Sequence, residues 1–196
     1  MNKATSIFEI RARLEESAQL KMALAKSKLG EIKRITDLIV ETYKKGGKVV
    51  LFGNGGSAAD AQHIACELVG RFMLKRQAFP AIALTTDTSI LTAVANDSGY
   101  EAVFSRQVEA LVNEKDVVIA ISTSGDSPNV IEATKLAKSK GAKTVGLTGG
   151  SGGRLAEVAD LVLVVPSDST PRIQEAHITI GHIICELAEK ELSTTA

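Results

Sequence analysis

The stretch Asp116-Val117-Val118-Ile119-Ala120-Ile121-Ser122-Thr123-Ser124-Gly125-Asp126-Ser127-Pro128 passes from an unbroken apolar run into four hydroxyls gathered around one glycine. An apolar, β-branched run without a polar face predicts a strand covered on both sides, as strands of parallel sheets are. The same pattern returns at Lys48-Val49-Val50-Leu51-Phe52, Ala81-Ile82-Ala83-Leu84, Thr144-Val145-Gly146-Leu147 and Leu161-Val162-Leu163-Val164-Val165, with helical spacing between most of them. Five buried strands alternating with helices give an α/β fold, a doubly wound five-stranded parallel sheet.

Outward from the sheet, Thr5 to Tyr43 has no proline and spaces Ile7, Ile10, Leu14, Ile32, Ile35, Leu38 and Ile39 helically, so it reads as two helices broken near Gly30. Gly46-Gly47 closes that region. At the other end, Pro171 suits a first helical turn, and Thr170 to Leu192 reads as one long terminal helix. The expected organisation is a single domain over 1–196, with an N-terminal helical arm at 1–46 and an α/β core with the C-terminal helix at 47–196. No repeat, low-complexity segment or linker interrupts it.

Composition narrows the function. With 23 basic and 23 acidic residues the formal charge is zero, which gives no global field for nucleic acid or an anionic membrane. Charged residues interrupt the first 16 positions, leaving no signal-peptide core, and no apolar run approaches the roughly 18 to 20 residues that span a bilayer. A cytoplasmic location is expected. Cys66 and Cys185 fit no metal or redox spacing and are expected to be buried, reduced thiols.

Ligands of open parallel sheets collect outside the carboxyl ends of the strands. Three strands run there into glycine- and hydroxyl-rich loops. Gly53-Asn54-Gly55-Gly56-Ser57 leads into a helix over about Ala58 to Gly70, where glycines allow close backbone approach and the helix start offers free N–H groups. With Ala58 it also fits G-x-G-x-x-G/A, but the ribose-binding acid expected about 20 residues on is missing from Gly70-Arg71-Phe72-Met73-Leu74-Lys75-Arg76-Gln77, so no nucleotide cofactor is expected. In the second loop the hydroxyls of Ser122, Thr123, Ser124 and Ser127 suit a phosphate dianion, with Ser127 placed to cap the helix that Pro128 begins. The third loop, Thr148-Gly149-Gly150-Ser151-Gly152-Gly153, reads as a tight turn.

His63 and Glu67, four apart, share one face of the helix after the first loop, as a base couple, a metal pair or an ordinary solvated pair. Gln174 and His182 lie about 80° apart around the terminal helix and can border one cavity, while His177 falls on the other side of Gln174. Asn96-Asp97-Ser98-Gly99 reads as a helix end, with sugar-hydroxyl contact as the sharper alternative.

Taken together, Gly53 to His63, Ala95-Asn96-Asp97, Ser122 to Asn129 and Arg172-Ile173-Gln174-Glu175-Ala176-His177 resemble the phosphoheptose isomerases of the sugar isomerase (SIS) domain family, over nearly the whole chain. The resemblance implies a flavodoxin-like core, a cytoplasmic homotetramer, and isomerisation of sedoheptulose 7-phosphate on the way to bacterial lipopolysaccharide heptose. It implies substrate contacts at Asn54, Gly55, Gly56, Glu67, Asn96, Asp97, Ser122, Thr123, Ser124, Ser127 and Gln174, with Glu67 and His182 catalytic. It also implies, in some members, zinc on His63, Glu67, Gln174 and His182. Asp126 departs from the asparagine of the family's run, and its charge is expected to face away from a phosphate. The rival expectation from the same family is a non-catalytic protein that binds a phosphosugar or associates with the replication initiator DnaA.

Overall fold

The computed structural model describes residues 3–194; Met1, Asn2, Thr195 and Ala196, at the ends of the expected arm and terminal helix, lie outside the described residues. Five parallel strands, β1 (Val49–Gly53), β2 (Ala81–Ala83), β3 (Val117–Ile121), β4 (Lys143–Gly149) and β5 (Leu161–Val165), form one sheet in the order β2-β1-β3-β4-β5. The central register pairs Val50 with Val118 and Val118 with Thr144. The apolar runs conceal a period of two. Val49, Leu51, Val117, Ile119 and Ile121 enter one core cluster, whereas Val50, Phe52, Val118 and Ala120 enter the cluster on the opposite face.

The helices follow in chain order as α1 (Lys3–Ser27), α2 (Leu29–Lys44), α3 (Gly56–Val69), α4 (Thr88–Ser98), α5 (Ser105–Leu111), α6 (Pro128–Ser139), α7 (Gly153–Val158) and α8 (Thr170–Thr194), with a 3-10 turn at Tyr100–Ala102. Ile35 and Ile39 of α2, Ile64 and Leu68 of α3, and Ile173, Ile180 and Ile184 of α8 fill one cluster; Val108 of α5, Val130 and Ala133 of α6 and Leu155 of α7 fill the other. The expected doubly wound sheet is present, with helices on both faces.

Two local boundaries sharpen. The arm breaks at Lys28, near Gly30 as expected: Lys28 sits at φ −122°, ψ 10°, while Gly30 itself lies in the first turn of α2, where a glycine is tolerated. β2 stops at Ala83, one residue short of the expected run, and is one of the two edge strands, with Ile82 exposed.

Candidate functional site

The strand order reverses between β1 and β3. The chain leaves β1 through α3 toward β2 on one side and leaves β3 through α6 toward β4 on the other, so the loops after β1 and β3 open a crevice at that switch point. Asn54, Ser57, Ser122, Thr123, Ser127 and Gln174 line a cavity of about 100 Å³ there. A second cavity of about 240 Å³ adjoins it, lined by Thr123, Ser124, Gly149, Gly150, Ser151, Asp168, Thr170 and Ile173, so the glycine-rich third loop shapes a pocket wall as well as turning the chain.

Ser127 occupies the residue before α6, but its hydroxyl does not cap the helix. Ser127 Oγ lies 3.1 Å from Ser122 Oγ, and Asn129 Oδ1 accepts from the Val130 N–H instead. With the Val130 N–H, a donor that a capping hydroxyl at Ser127 would use, already met by Asn129, the two serines are left free to face the crevice. Asn129 also closes a reciprocal pair with Asn54, each Nδ2 donating to the other's Oδ1 at 2.9 Å. The hydroxyl of Tyr100 donates to Asn54 Oδ1 at 3.3 Å. Asn129 and Tyr100 are thus parts of the site that spacing arguments passed over; the Asn129 beside the serine loop was the only sequence signal.

Gly125 takes φ +72°, and a Cβ there would stand 2.0 Å from the Gly152 carbonyl oxygen. The two loops therefore touch backbone to backbone, fastened by Leu155 N–H to Gly125 O at 2.8 Å and Gly149 N–H to Thr123 O at 3.0 Å. Asp126 faces away, as expected. Its Oδ1 accepts from the Arg154 backbone N–H at 3.1 Å and from Arg154 Nε at 3.2 Å, and these bonds hold its carboxyl below the usual range.

Gly55 (φ 55°) introduces α3, and the Gln174 carboxamide packs on Gly56, where a Cβ would stand 2.3 Å from Nε2. Further along, Gly181 of α8 packs on Ile64 of α3, so the two helices run side by side in the same direction. That packing brings His182 to His63. Their Nε2 atoms are 3.1 Å apart, and His63 Nε2 is also 3.1 Å from Glu67 Oε1. His63, Glu67 and His182 offer three ligand atoms within 4.8 Å of one another. Gln174 sits with the loops instead, eight residues and about 12 Å along α8 from His182. Asn96 and Asp97, in the last turn of α4, are exposed and bonded to each other at 2.8 Å, outside the Asn54–Gln174 cavity.

The cluster suits a cation. His63 Nε2 points at a carboxylate oxygen and a second imidazole nitrogen at once, and a tetrahedral ion with bonds of about 2.0–2.1 Å separates its ligand atoms by roughly 3.3 Å, close to both observed spacings. Asp60, one turn before His63, has a buried Oδ2 without a hydrogen-bond partner. Burial pushes its carboxyl up to about 6 against the opposing pull of His63. The expectation of two buried thiols holds only for Cys185, where burial pushes the thiol up to about 12; Cys66 is exposed on α3.

His177 is wholly buried, with Nε2 3.1 Å from the Thr148 carbonyl and Nδ1 without a partner. The carbonyl requires a donor, so Nε2 carries the proton. Burial outweighs that bond and depresses the imidazole from 6.5 to about 4. Between these values the unfolded chain binds a proton that the folded chain refuses. The contribution of His177 is therefore intact above about pH 6.5 and falls as the pH drops toward 4, a loss on the order of 3 kcal/mol. Urea midpoints measured from pH 7.5 to 4.5 should show this decline, and His177→Gln should flatten it.

A parallel sheet with a hydroxyl-lined crevice at its switch point and a histidine–carboxylate cluster on the adjoining helices describes a sugar-phosphate isomerase domain. The family model described as SIS domain matches residues 14–149. A phosphoheptose isomerase of Geobacter sulfurreducens is 54% identical over 186 residues, covering 95% of this chain and 98% of the relative. The solved phosphoheptose isomerase of Neisseria gonorrhoeae superposes with a TM-score of 0.88 at 42% identity, covering 93% and 97% of the two chains. That of Francisella tularensis gives 0.91 at 39%, covering 94% and 98%. The chain belongs to the SIS domain family and, within it, to the phosphoheptose isomerases.

Proposed function

We propose that the protein converts D-sedoheptulose 7-phosphate to D-glycero-D-manno-heptose 7-phosphate by proton transfer through an enediol, supplying bacterial lipopolysaccharide heptose. The observation that carries the reading is the meeting of Glu67 and His182 at His63, on helices whose other ends border the hydroxyl crevice. Ser122, Thr123, Ser124 and Ser127 bind the phosphate with Asn54 and the Gly55-Gly56 backbone, and Gln174, Asn96 and Asp97 contact the sugar. Holding one end of the substrate leaves the carbonyl end to be presented to the base in a fixed orientation.

Glu67 removes a proton from C1. The C1–H electron pair forms the C1=C2 bond, and the carbonyl oxygen at C2 takes a proton from His182. In the second half the O1 proton returns to His182, the carbon proton is delivered to C2, and the aldehyde forms at C1. Zinc is the ion proposed for His63, Glu67 and His182, with Gln174 as a further ligand by resemblance. Bound there, zinc would polarise the substrate oxygens. His63 orients both reacting groups, lying 3.1 Å from each.

The acting unit is proposed to be a cytoplasmic homotetramer. Ile7, Phe8, Ile10 and Leu14 stand exposed on α1, as do Ile183 and Leu187 one turn apart on α8, and a second copy would bury them. No helix among the described residues is long and apolar enough to cross a membrane.

Incubation with sedoheptulose 7-phosphate, followed by proton NMR for the aldose, tests the reading. Conversion that falls at least tenfold on chelation and returns with Zn²⁺ is expected. Binding without conversion would favour a phosphosugar-sensing or DnaA-associating protein.

A further inference from the structure

Between α3 and β2 the chain runs from Gly70 to Pro80 without helix or strand. Its anchor is Glu189, a carboxylate only 1% exposed on α8. Glu189 Oε1 accepts from the Phe72 N–H at 3.0 Å and from Arg76 Nε at 2.8 Å; Oε2 accepts from the Met73 and Leu74 N–H groups at 2.7 and 2.8 Å. Burial raises this carboxyl, but the backbone bonds of Met73, Leu74 and Phe72 and the bond from Arg76 outweigh it and leave the group below its usual range. A buried ion pair adds little net stability over apolar residues of the same volume, so its presence calls for a reason beyond stability.

Two consequences lead toward the reacting groups. The Arg76 guanidinium, oriented by Glu189, donates from Nη2 to the Glu67 carbonyl at 2.9 Å and from Nη1 to the Leu68 carbonyl at 3.0 Å. These are among the last four carbonyls of α3, which have no partner inside the helix. Phe72, held by its own N–H, lays its ring against His182 with centroids 5.5 Å apart. Glu189 follows His182 by seven residues, two turns on the same side of α8.

We infer that Glu189 is a positioning residue: its carboxylate fixes both the helix end that carries Glu67 and the aromatic ring that sets His182. The inference rests on the proposed roles of those two residues. A merely structural anchor would lower stability and leave the folded protein fully active. A positioning residue changes kcat and the metal cluster while sparing the distant phosphate loop.

The test uses the full chain carrying Glu189→Gln, with Phe72→Leu as a second variant that leaves the carboxylate and its donors intact, and Glu186→Gln, a solvent-facing change on the same helix, as control. Expected for Glu189→Gln are a kcat at least tenfold lower, KM within about twofold of the parent, and Zn²⁺ affinity, read by competition with a chelating dye, at least tenfold weaker. Inorganic phosphate affinity stays unchanged. Phe72→Leu should lower kcat and Zn²⁺ affinity about threefold or more, and Glu186→Gln should alter neither. Folded Glu189→Gln with parental kcat and Zn²⁺ affinity overturns the inference. If that variant does not fold, Phe72→Leu decides: parental values there overturn it. Retained turnover in Glu67→Gln would instead remove the catalytic reading, and the Zn²⁺ comparison would still report on positioning.

Discussion

Glu67→Gln is expected to lower kcat by about 10²–10⁴-fold, the range over which a positioned acid or base acts, while inorganic phosphate binds as before. The side chain keeps its length and its oxygen toward His63, 3.1 Å away in the parent, so the fold has no reason to yield. What disappears is the lone pair basic enough to take a proton from carbon. Carboxamide oxygen is also a poorer zinc ligand than carboxylate, so metal affinity should fall in parallel. Steady-state kinetics beside phosphate titration separates the two ends of the site: KM rising with kcat unchanged would place Glu67 in binding rather than chemistry.

Gly125→Ala should be the most damaging single methyl in the phosphate loop. The added Cβ would meet Gly152 O at 2.0 Å, Gly152 C at 2.6 Å and Thr148 Oγ1 at 2.9 Å, in a backbone conformation of φ +72° that alanine avoids. The obstacle is another loop's backbone, tied to this one through Leu155 N–H to Gly125 O, so relief requires both loops to move. A cost of about 2–4 kcal/mol follows, or a melting temperature lower by about 5–15 °C. Phosphate binding should weaken at temperatures where the variant remains folded. Gly30→Ala is the matched control, because nothing lies within 4 Å of its Cβ position. Its melting temperature should equal or exceed the parent's.

Much of the fold was written in local pattern. Strands buried on both faces carry few polar interruptions, so β1 and β3 could be placed within a residue or two from apolar runs alone, and the apolar run of the partly buried edge strand β5 placed it as well. At β2 the boundary is a matter of one residue, because Leu84 N–H still donates to Leu51 O at 2.9 Å just past the end of the strand at Ala83, and the break of the arm falls at Lys28, two residues before the glycine near which it was expected. Of the site, the loops and the His63–Glu67 pair were legible from spacing. The approach of His182 was not, since it depends on how α3 and α8 pack across 119 residues of chain. Ser127 shows a second limit: its place before α6 was evident, but Asn129 supplies the oxygen facing Val130 N–H, and Ser127 turns to Ser122. Glu189 is the extreme case. In sequence it is one more acid on a helix rich in charge, and only the fold brings Phe72, Met73, Leu74 and Arg76 onto it.

The central claim is an aldose–ketose isomerisation carried by proton transfer at Glu67. Its most direct test is turnover of sedoheptulose 7-phosphate in ²H₂O, with the product examined by NMR and mass spectrometry. Expected is D-glycero-D-manno-heptose 7-phosphate whose C2 hydrogen is the one carried over from C1, replaced by solvent deuterium to the extent that Glu67 exchanges its proton before returning it, and formation of this product at least a hundredfold slower with Glu67→Gln. Absence of aldose from the parent protein, or aldose formed at the parental rate by Glu67→Gln, would contradict proton transfer at Glu67.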